Sequence, residues 1–445
     1  MLKMTLRAFL VGCVFLQVVV CGSEDNSYYA ARREALMRKI EGSIAVLRGA
    51  PDTRGYTAFR LDNNFYCLTG VETPDAFLLV DGIRHRSMLF LPQRDKEVEH
   101  WEGPRLYPGP DAHKSTGIEE VLESSRFGDE LEKRRSTLKF VYTPLSPVET
   151  AAASRARTLH FESVRQNGPW DGRISRAAAF EQNLQSNLKS VAIRDLSPIL
   201  DEMRRVKDAQ EIERLRNSGR IGALGLKEAI RSARPGMYEC QVAALAQFVF
   251  LWRGASGHAF FPIVGSCPNS CLLHYSENGR KMESGDIAVI DFGPDYRYYE
   301  SDITRTFPVS GKYSEEQARV YQIVLDSQKA AIERIRPGTS FGDLADIARE
   351  VLDRRGYARY MTHAIGHYVG MSTNDGGNPE RFEPGVVIAV EPGVYMSDKN
   401  LGIRIEDTVL VTRDGCEILT KEVPKEIVDI EKLMTERGMT EAIRD

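Results

Sequence analysis

The chain has 445 residues, enough for two domains with a full-sized core. With 42% apolar and 27% charged residues and no low-complexity tract, it has the composition of an ordinary soluble globular protein, not of a disordered or fibrous one. A net charge of −4 without a basic cluster gives a nucleic-acid backbone nothing to bind, so no nucleic-acid partner is expected.

In chain order, Lys3 and Arg7 first precede an apolar run at 8–20. This is the pattern of a secretory leader, and it is too short to span a bilayer. A signal peptide at 1–22 is expected, cut near Cys21, Gly22 or Ser23, with the mature protein secreted or periplasmic and no integral membrane span. Val20 directly before Cys21 disfavours a membrane-attached lipoprotein, whose attachment site wants a small residue there. Cys67, Cys240, Cys267, Cys271 and Cys416 remain after cleavage, an odd number and so no disulfide framework. Cys267 and Cys271 flank Pro268 and could bridge in an oxidising compartment, but two small buried thiols are the favoured reading.

Residues 28–47 read as an amphipathic helix through Tyr29, Ala30, Leu36, Ile40 and Ile44. Strand-like runs follow at 44–47, 65–68, 76–80 and 88–91, separated by turn residues such as Gly70, Asp81-Gly82 and Pro92. Helical patterns intervene at 117–125 and 176–190. Alternation of this kind predicts a small α/β domain over 28–198. It has no glycine-rich phosphate loop, so nucleotide binding is not expected. The boundary falls at 198–206, where Pro198 leads into a charged helix that presents Glu211, Glu213 and Arg214 to solvent. A second domain then runs over 205–435.

That second domain repeats itself. Segment 283–291 parallels 383–391: each is an apolar run that ends in an acid, Asp291 or Glu391. Each is followed by a turn and a run carrying a second acid, Asp302 or Glu406. Upstream, Arg234-Pro235-Gly236 echoes Arg336-Pro337-Gly338, and His258-Ala259 with Val264-Gly265 echoes His363-Ala364 with Val369-Gly370. Residues 220–310 and 320–412 are thus two copies of one unit, helices first and then antiparallel strands. A solenoid repeats every roughly 20–50 residues, so this longer period predicts a duplicated α+β domain with a site on its pseudo-symmetric seam.

An acid at the end of an Ile/Val run is costly to bury unless a cation meets it. Gly293-Pro294-Asp295 is a turn signal, and a hairpin centred near Tyr296 would set Asp291 and Asp302 opposite each other on one face. Facing carboxylates repel, and a shared divalent cation removes that cost. The bland alternatives are a salt bridge to Arg297 or Arg305, and a surface pair between Glu406 and Arg404. His274, His363 and His367 lie near these acids in the same domain. His363 and His367 are four apart, but Gly366 and Gly370 argue for strand or loop, where only one of them would ligate. Oxygen ligands with one imidazole suit Mn2+ best, with Co2+ or Zn2+ open. Two such ions about 3.5 Å apart would lower the pKa of a shared water, which points to amide hydrolysis. No Gly-x-Ser-x-Gly elbow supports a serine nucleophile.

Segment 58–70, with Phe59-Arg60 and Leu68-Thr69-Gly70, resembles the Xaa-Pro aminopeptidase (aminopeptidase P) and prolidase family. Leu273-His274-Tyr275, Ile290-Asp291-Phe292-Gly293, Ser301-Asp302-Ile303-Thr304-Arg305, Gly366-His367-Tyr368, Val390-Glu391-Pro392-Gly393 and Arg404-Ile405-Glu406-Asp407 match that family in order. The resemblance implies the pita-bread metallopeptidase fold, two divalent ions, a peptide substrate with proline at its second position, and a homodimer or homotetramer. It implies that Asp291 holds one ion, that Asp302 and Glu406 bridge both, and that His367 and Glu391 complete the other site. Glu391 would also serve as general base, His274 and His363 would steady the substrate carbonyl or shuttle protons, and Tyr395 and Arg404 would orient the ligands.

One position departs from the family. Where a second histidine is usual, seven residues after His367, this chain has Asn374, followed by Asp375-Gly376-Gly377. An amide donates a hydrogen bond but carries no proton near neutral pH, so substrate binding or the pH profile is what the change would affect. The expected activity is removal of an N-terminal residue that precedes proline. A prolidase restricted to dipeptides and a catalytically impaired binding protein of the same fold are the alternatives. Creatine hydrolysis on the same fold is disfavoured, because the metal carboxylates it lacks are present here.

Overall fold

A computed structural model describes residues 26–53, 58–146, 155–376 and 381–444. The expected leader at 1–22 lies outside the described residues. The chain divides into two compact units, one built from residues up to Leu61 with Phe65–Glu130, the other from Asp62–Asn64 with Leu131 onward.

In the first unit, the opening helix Asn26–Lys39 stops short of the expected 47, because Gly42 turns the chain with a φ of 76° and Ile44–Arg48 is already a strand. That strand pairs antiparallel with Phe77–Asp81, which pairs antiparallel with Arg86–Leu91. Glu120–Glu123 then adds in parallel to Arg86–Leu91. Residues 117–125 are therefore not the helix their pattern suggests: Gly117, at a φ of 61°, ends the preceding helix, the strand Glu120–Glu123 follows, and Ser124–Arg126 is a single 3-10 turn. Conversely, the apolar run 65–68 lies within the helix Asn63–Thr69 and is not a strand. Four apolar residues satisfy either period, and here Phe65 and Leu68, three apart, share a buried helical face.

In the second unit, Phe140–Thr143 pairs in parallel with Ala192–Asp195, and the helix Arg176–Leu188, capped by Ser175, forms where expected. The duplication is geometric as well as textual. The first copy has helices Ala209–Ser232 and Glu239–Trp252 ahead of strands Ile263–Ser266, Ile287–Asp291 and Thr304–Pro308. The second has Glu315–Glu333 and Phe341–Asp353 ahead of Val387–Val390, Gly393–Met396, Leu401–Arg404 and Asp407–Val411. Gly285 and Gly385, at matched places before the acid-tipped strands, have φ of 91° and 92°. Only glycine adopts this conformation without strain, so the repeat extends to the backbone.

Glu211 and Arg214 are buried, not solvated as their charge suggests; Glu213 is exposed. Glu211 closes the capping box of its helix by accepting from the Asp208 amide (2.9 Å), and its other oxygen accepts from the Tyr299 hydroxyl (2.8 Å). Arg214 lies over the Tyr299 ring, 5.2 Å from its centroid. Both copies feed one core, in which Val264, Ile290 and Ile303 of the first join Ile388, Ile403 and Val409 of the second. Burying each such side chain contributes roughly 1.5–3 kcal/mol, which fixes the strand ends that carry the acids.

Candidate metal centre

The strand Ile287–Asp291 lies between two antiparallel neighbours, with Asp291 opposite both Ile263 and Thr304. Asp291 and Asp302 are therefore not directly opposed. The chain reverses at Arg297-Tyr298, whose φ angles are 53° and 67°, and pairs Asp295 with Glu300. The register shifts by one residue on each side, and Asp302, two residues before Thr304, sits diagonally from Asp291 on the same face. Gly293 is not the turn. It is a point of close approach, where an added Cβ would lie 1.7 Å from the Ser301 carbonyl oxygen.

In the second copy Val390 pairs with Asp407, so Glu391 and Glu406 occupy the next step of the same register. Threonine hydroxyls stitch the two copies together. Thr304 Oγ1 donates to Glu406 Oε2 (2.7 Å), and Thr306 Oγ1 donates to the Arg404 carbonyl (2.7 Å). Thr408 Oγ1 donates to the Asp302 carbonyl (2.6 Å) and accepts from the Asp302 amide (3.0 Å).

Asp291, Asp302, His367, Glu391 and Glu406 line one cavity of about 310 Å³, together with His274, His363, Asn374 and Arg404. His367 Nε2 lies 3.4 Å from Asp302 Oδ2 and 3.7 Å from Glu391 Oε1. One ligating atom from each of Asp302, His367 and Glu406 falls within 4.8 Å of the other two. The Tyr368 carbonyl accepts from His367 Nδ1 (3.1 Å), which leaves Nε2 aimed at the acids. His363 lies on a non-helical stretch as expected; its Nε2 is 2.8 Å from the Tyr395 hydroxyl and its Nδ1 is 3.8 Å from Glu391 Oε2. Tyr395 stands behind the wall and accepts from Arg404 Nη1 (2.9 Å), while Arg404 Nη2 pairs with Asp291. The bland pairings do not form: Arg404 bonds Asp291 and not Glu406, and Arg305 bonds Asp407 and neither cavity aspartate.

The electrostatics are those of a site short of positive charge. Burial pushes Asp291 up to about 7, against the pull of Arg404. Burial likewise raises Glu391 to about 7, against His367 and Arg404. Burial, then the Asp302 carboxylate, holds Glu406 well above the usual range. For His367, burial opposes the charge, but the hydrogen bond to Asp302 and the Glu391 carboxylate outweigh it and raise the imidazole to about 9. His363 is driven down to about 4 by burial and then by Arg404. Burial also lowers His274, with Arg404 and Arg157 adding to the effect. Among the described residues, Asp291 Oδ1, Asp302 Oδ1 and Glu406 Oε1 are buried without a hydrogen-bond partner. Leaving a buried polar atom unsatisfied costs about 1–3 kcal/mol, and more for a charged one. Hard oxygens left bare beside an imidazole fit a divalent cation, which would satisfy them and offset their mutual repulsion.

Some of the cavity was missed in the sequence. Phe260, Phe261 and Ile263 form an apolar wall. The adjacent phenylalanines just ahead of Val264 were a legible signal. Arg157 also lines the cavity, with Nη1 3.1 Å from His274 Nδ1, and nothing in its local sequence links it to a site more than a hundred residues away. Cys267 and Cys271 are separate thiols, half-buried and not fully buried as expected, and Cys267 Sγ donates to Asp286 Oδ1 (2.9 Å).

Residues 213–413 match the model of metallopeptidase family M24, and residues 29–142 match that of the aminopeptidase P N-terminal domain. The Xaa-Pro aminopeptidase of Escherichia coli strain K12 is 32% identical over 446 residues, covering 91% of this chain and 97% of that protein. The Xaa-Pro dipeptidase of Pyrococcus furiosus is 35% identical over 256 residues, covering 56% of this chain and 72% of that protein. The solved structure of E. coli aminopeptidase P with the inhibitor Pro-Leu matches with a TM-score of 0.77 at 30% identity, covering 92% of this chain and 98% of that one. The chain belongs to metallopeptidase family M24, in its aminopeptidase P group, and has the pita-bread fold.

Proposed function

We propose that this protein is a metal-dependent aminopeptidase that hydrolyses the bond between an N-terminal residue and a following proline. The observation that carries this reading is the set of bare buried oxygens on Asp291, Asp302 and Glu406, facing His367 within a family whose chemistry is metal-dependent peptide hydrolysis. Two ions of the Mn2+ class suit the donor set, and Asp291, Asp302, His367, Glu391 and Glu406 would hold them. When bound, the ions supply Lewis acidity at the scissile carbonyl and neutralise the acids.

The remaining chemistry belongs to the chain. Glu391 lines the cavity beside His367 and is placed to accept a proton and pass it to the departing nitrogen. An arginine cannot accept a hydrogen bond, so Arg157 must donate to His274 Nδ1. The proton of neutral His274 then sits on Nε2, where it can donate to the substrate carbonyl oxygen. Tyr395, held by Arg404, fixes the His363 ring at the opposite side. A proline amide has no N–H and a fixed φ, and the apolar wall of Phe260, Phe261 and Ile263 suits its ring.

In this reading 28–198 is the companion domain and 205–435 the catalytic one, the leader directs the protein to a secreted or periplasmic location, and the molecule works as a homodimer or homotetramer. Among the described residues, no helix is long and apolar enough to cross a membrane. A dipeptide-only activity is the weaker reading, because the likeness to the dipeptidase of P. furiosus stops at 56% of the chain. The test compares an Xaa-Pro dipeptide with a tripeptide that starts identically. Chelator should stop tripeptide cleavage and Mn2+ should restore it. Turnover that survives exhaustive chelation would overturn the proposal, and cleavage of the dipeptide alone would select the prolidase.

A further inference from the structure

Arg305 is fully buried, yet it bonds none of the carboxylates that line the cavity. All five of its donors are used. Nη1 donates to the carbonyls of Thr304 (2.9 Å) and Glu406 (2.6 Å), Nη2 to Asp407 Oδ1 (2.7 Å) and the Val423 carbonyl (3.2 Å), and Nε to the Pro424 carbonyl (3.0 Å). Asp407 is satisfied in turn by Thr420 Oγ1 (2.8 Å), Gln328 Nε2 (3.1 Å) and Lys425 Nζ (2.7 Å). Gln328 completes the set: its Nε2 also donates to the Val390 carbonyl (3.3 Å), and its oxygen accepts from Lys425 Nζ (3.0 Å).

The peptide groups that this cluster grips are informative. Glu406 is itself a cavity acid, Val390 directly precedes Glu391, and Thr304 bonds the Glu406 carboxylate and follows Asp302 by two residues. One cluster thus holds backbone from both copies at the points where their acids leave the strands. Stability alone does not explain it, since well-packed hydrophobic residues would serve a buried site at least as well as an ion cluster. The copies meet here through threonine side chains and one main-chain bond, from the Glu406 amide to the Thr304 carbonyl (3.1 Å), whose oxygen Arg305 also grips, so side-chain bonds contribute to their relative placement. A metal site tolerates ligand misplacement of only about 0.2 Å.

We propose that Arg305, Asp407, Lys425 and Gln328 form a positioning brace that sets the spacing of Glu391 from the Asp302–Glu406 pair, and so the affinity of the site for its divalent ions. This inference rests on the metallopeptidase reading. The full-length protein, stripped by chelator, is titrated with Mn2+ by calorimetry, as wild type and as the Gln328→Met and Arg305→Lys variants, with the melting temperature of each metal-free form measured alongside. Gln328→Met is close in size and should stay folded, while its Mn2+ affinity falls about 10- to 100-fold, the range typical for groups that support metal ligands. Arg305→Lys keeps the charge but loses the fork of donors, and its folded fraction should show at least as large a loss. If Arg305→Lys does not fold, Gln328→Met decides alone. A lowered melting temperature with unchanged Mn2+ affinity in folded Gln328→Met overturns the brace and leaves an ordinary structural cluster. A wild-type protein that takes up no Mn2+ overturns the metallopeptidase reading, and the brace with it.

Discussion

Glu406 and Asp407 are neighbours with opposite surroundings. Alternate residues of an extended chain face opposite sides, so one carboxylate turns into the cavity and the other into the interior beside Arg305. Asp407 has every oxygen met by donors, and Arg305 and Lys425 hold its carboxyl far below the usual range despite burial. Glu406 keeps a bare oxygen. Replacing Glu406 or Asp291 with alanine should leave a folded protein that no longer retains metal or cleaves Xaa-Pro peptides, as metal analysis of the purified variants would show. The pH response of the metal-free protein follows from the same residues. Asp291 and Glu391, near 7, and His367, near 9, all have folded pKa values above their unfolded ones. Each contributes stability that is present at low pH and lost as pH rises through the folded value. His363, lowered to about 4, works in the opposite sense, but only below about 6.5, where its unfolded form titrates. Between pH 6.5 and 9 the chelated protein should therefore lose stability steadily. Saturating Mn2+ should reverse that slope, because ligation favours deprotonated ligands. Melting curves at both ends of the window, with and without metal, check the sign. At Asn374, restoring histidine should change the pH profile of cleavage if the cavity uses a titrating group there. An unaltered profile would mean that another donor fills the role.

At the scale of elements, the hairpin between Asp291 and Thr304 shows what a pattern can and cannot convey. The acids on one face were readable, because the spacing of carboxylates on apolar runs is a property of the chain itself. The register was not. Gly293-Pro294-Asp295 has turn chemistry, but the glycine is there because Ser301 passes too close for a side chain, and the reversal is made by Arg297-Tyr298, which carry no turn signature. Gly293→Ala should accordingly destabilise the fold by at least about 1–3 kcal/mol through overpacking and reduce metal uptake by displacing Asp302. Gly285→Ala meets open space and carries only the backbone strain of a positive φ, a penalty on the order of 1 kcal/mol with metal uptake retained. Thermal melts paired with metal analysis separate the two. Errors elsewhere have similar origins. The run 65–68 and the stretch 117–125 were too short for period alone to distinguish helix from strand, and the buried Glu211 was drawn in by a capping box and by Tyr299.

At the scale of the molecule, the duplication was the most legible feature, because it is written twice. It carries the order of helices and strands, the turn glycines and the acids in the chain itself. Contacts between distant segments remained hidden: Arg157 against His274, and the three threonines that stitch the copies. Those bonds have a further consequence. The first copy brings two of the cavity acids, Asp291 and Asp302, while His367, Glu391 and Glu406 come from the second. Neither portion encloses a complete centre by itself. Either copy expressed alone should therefore bind metal poorly, and mixing the two should restore a centre only where they reassemble.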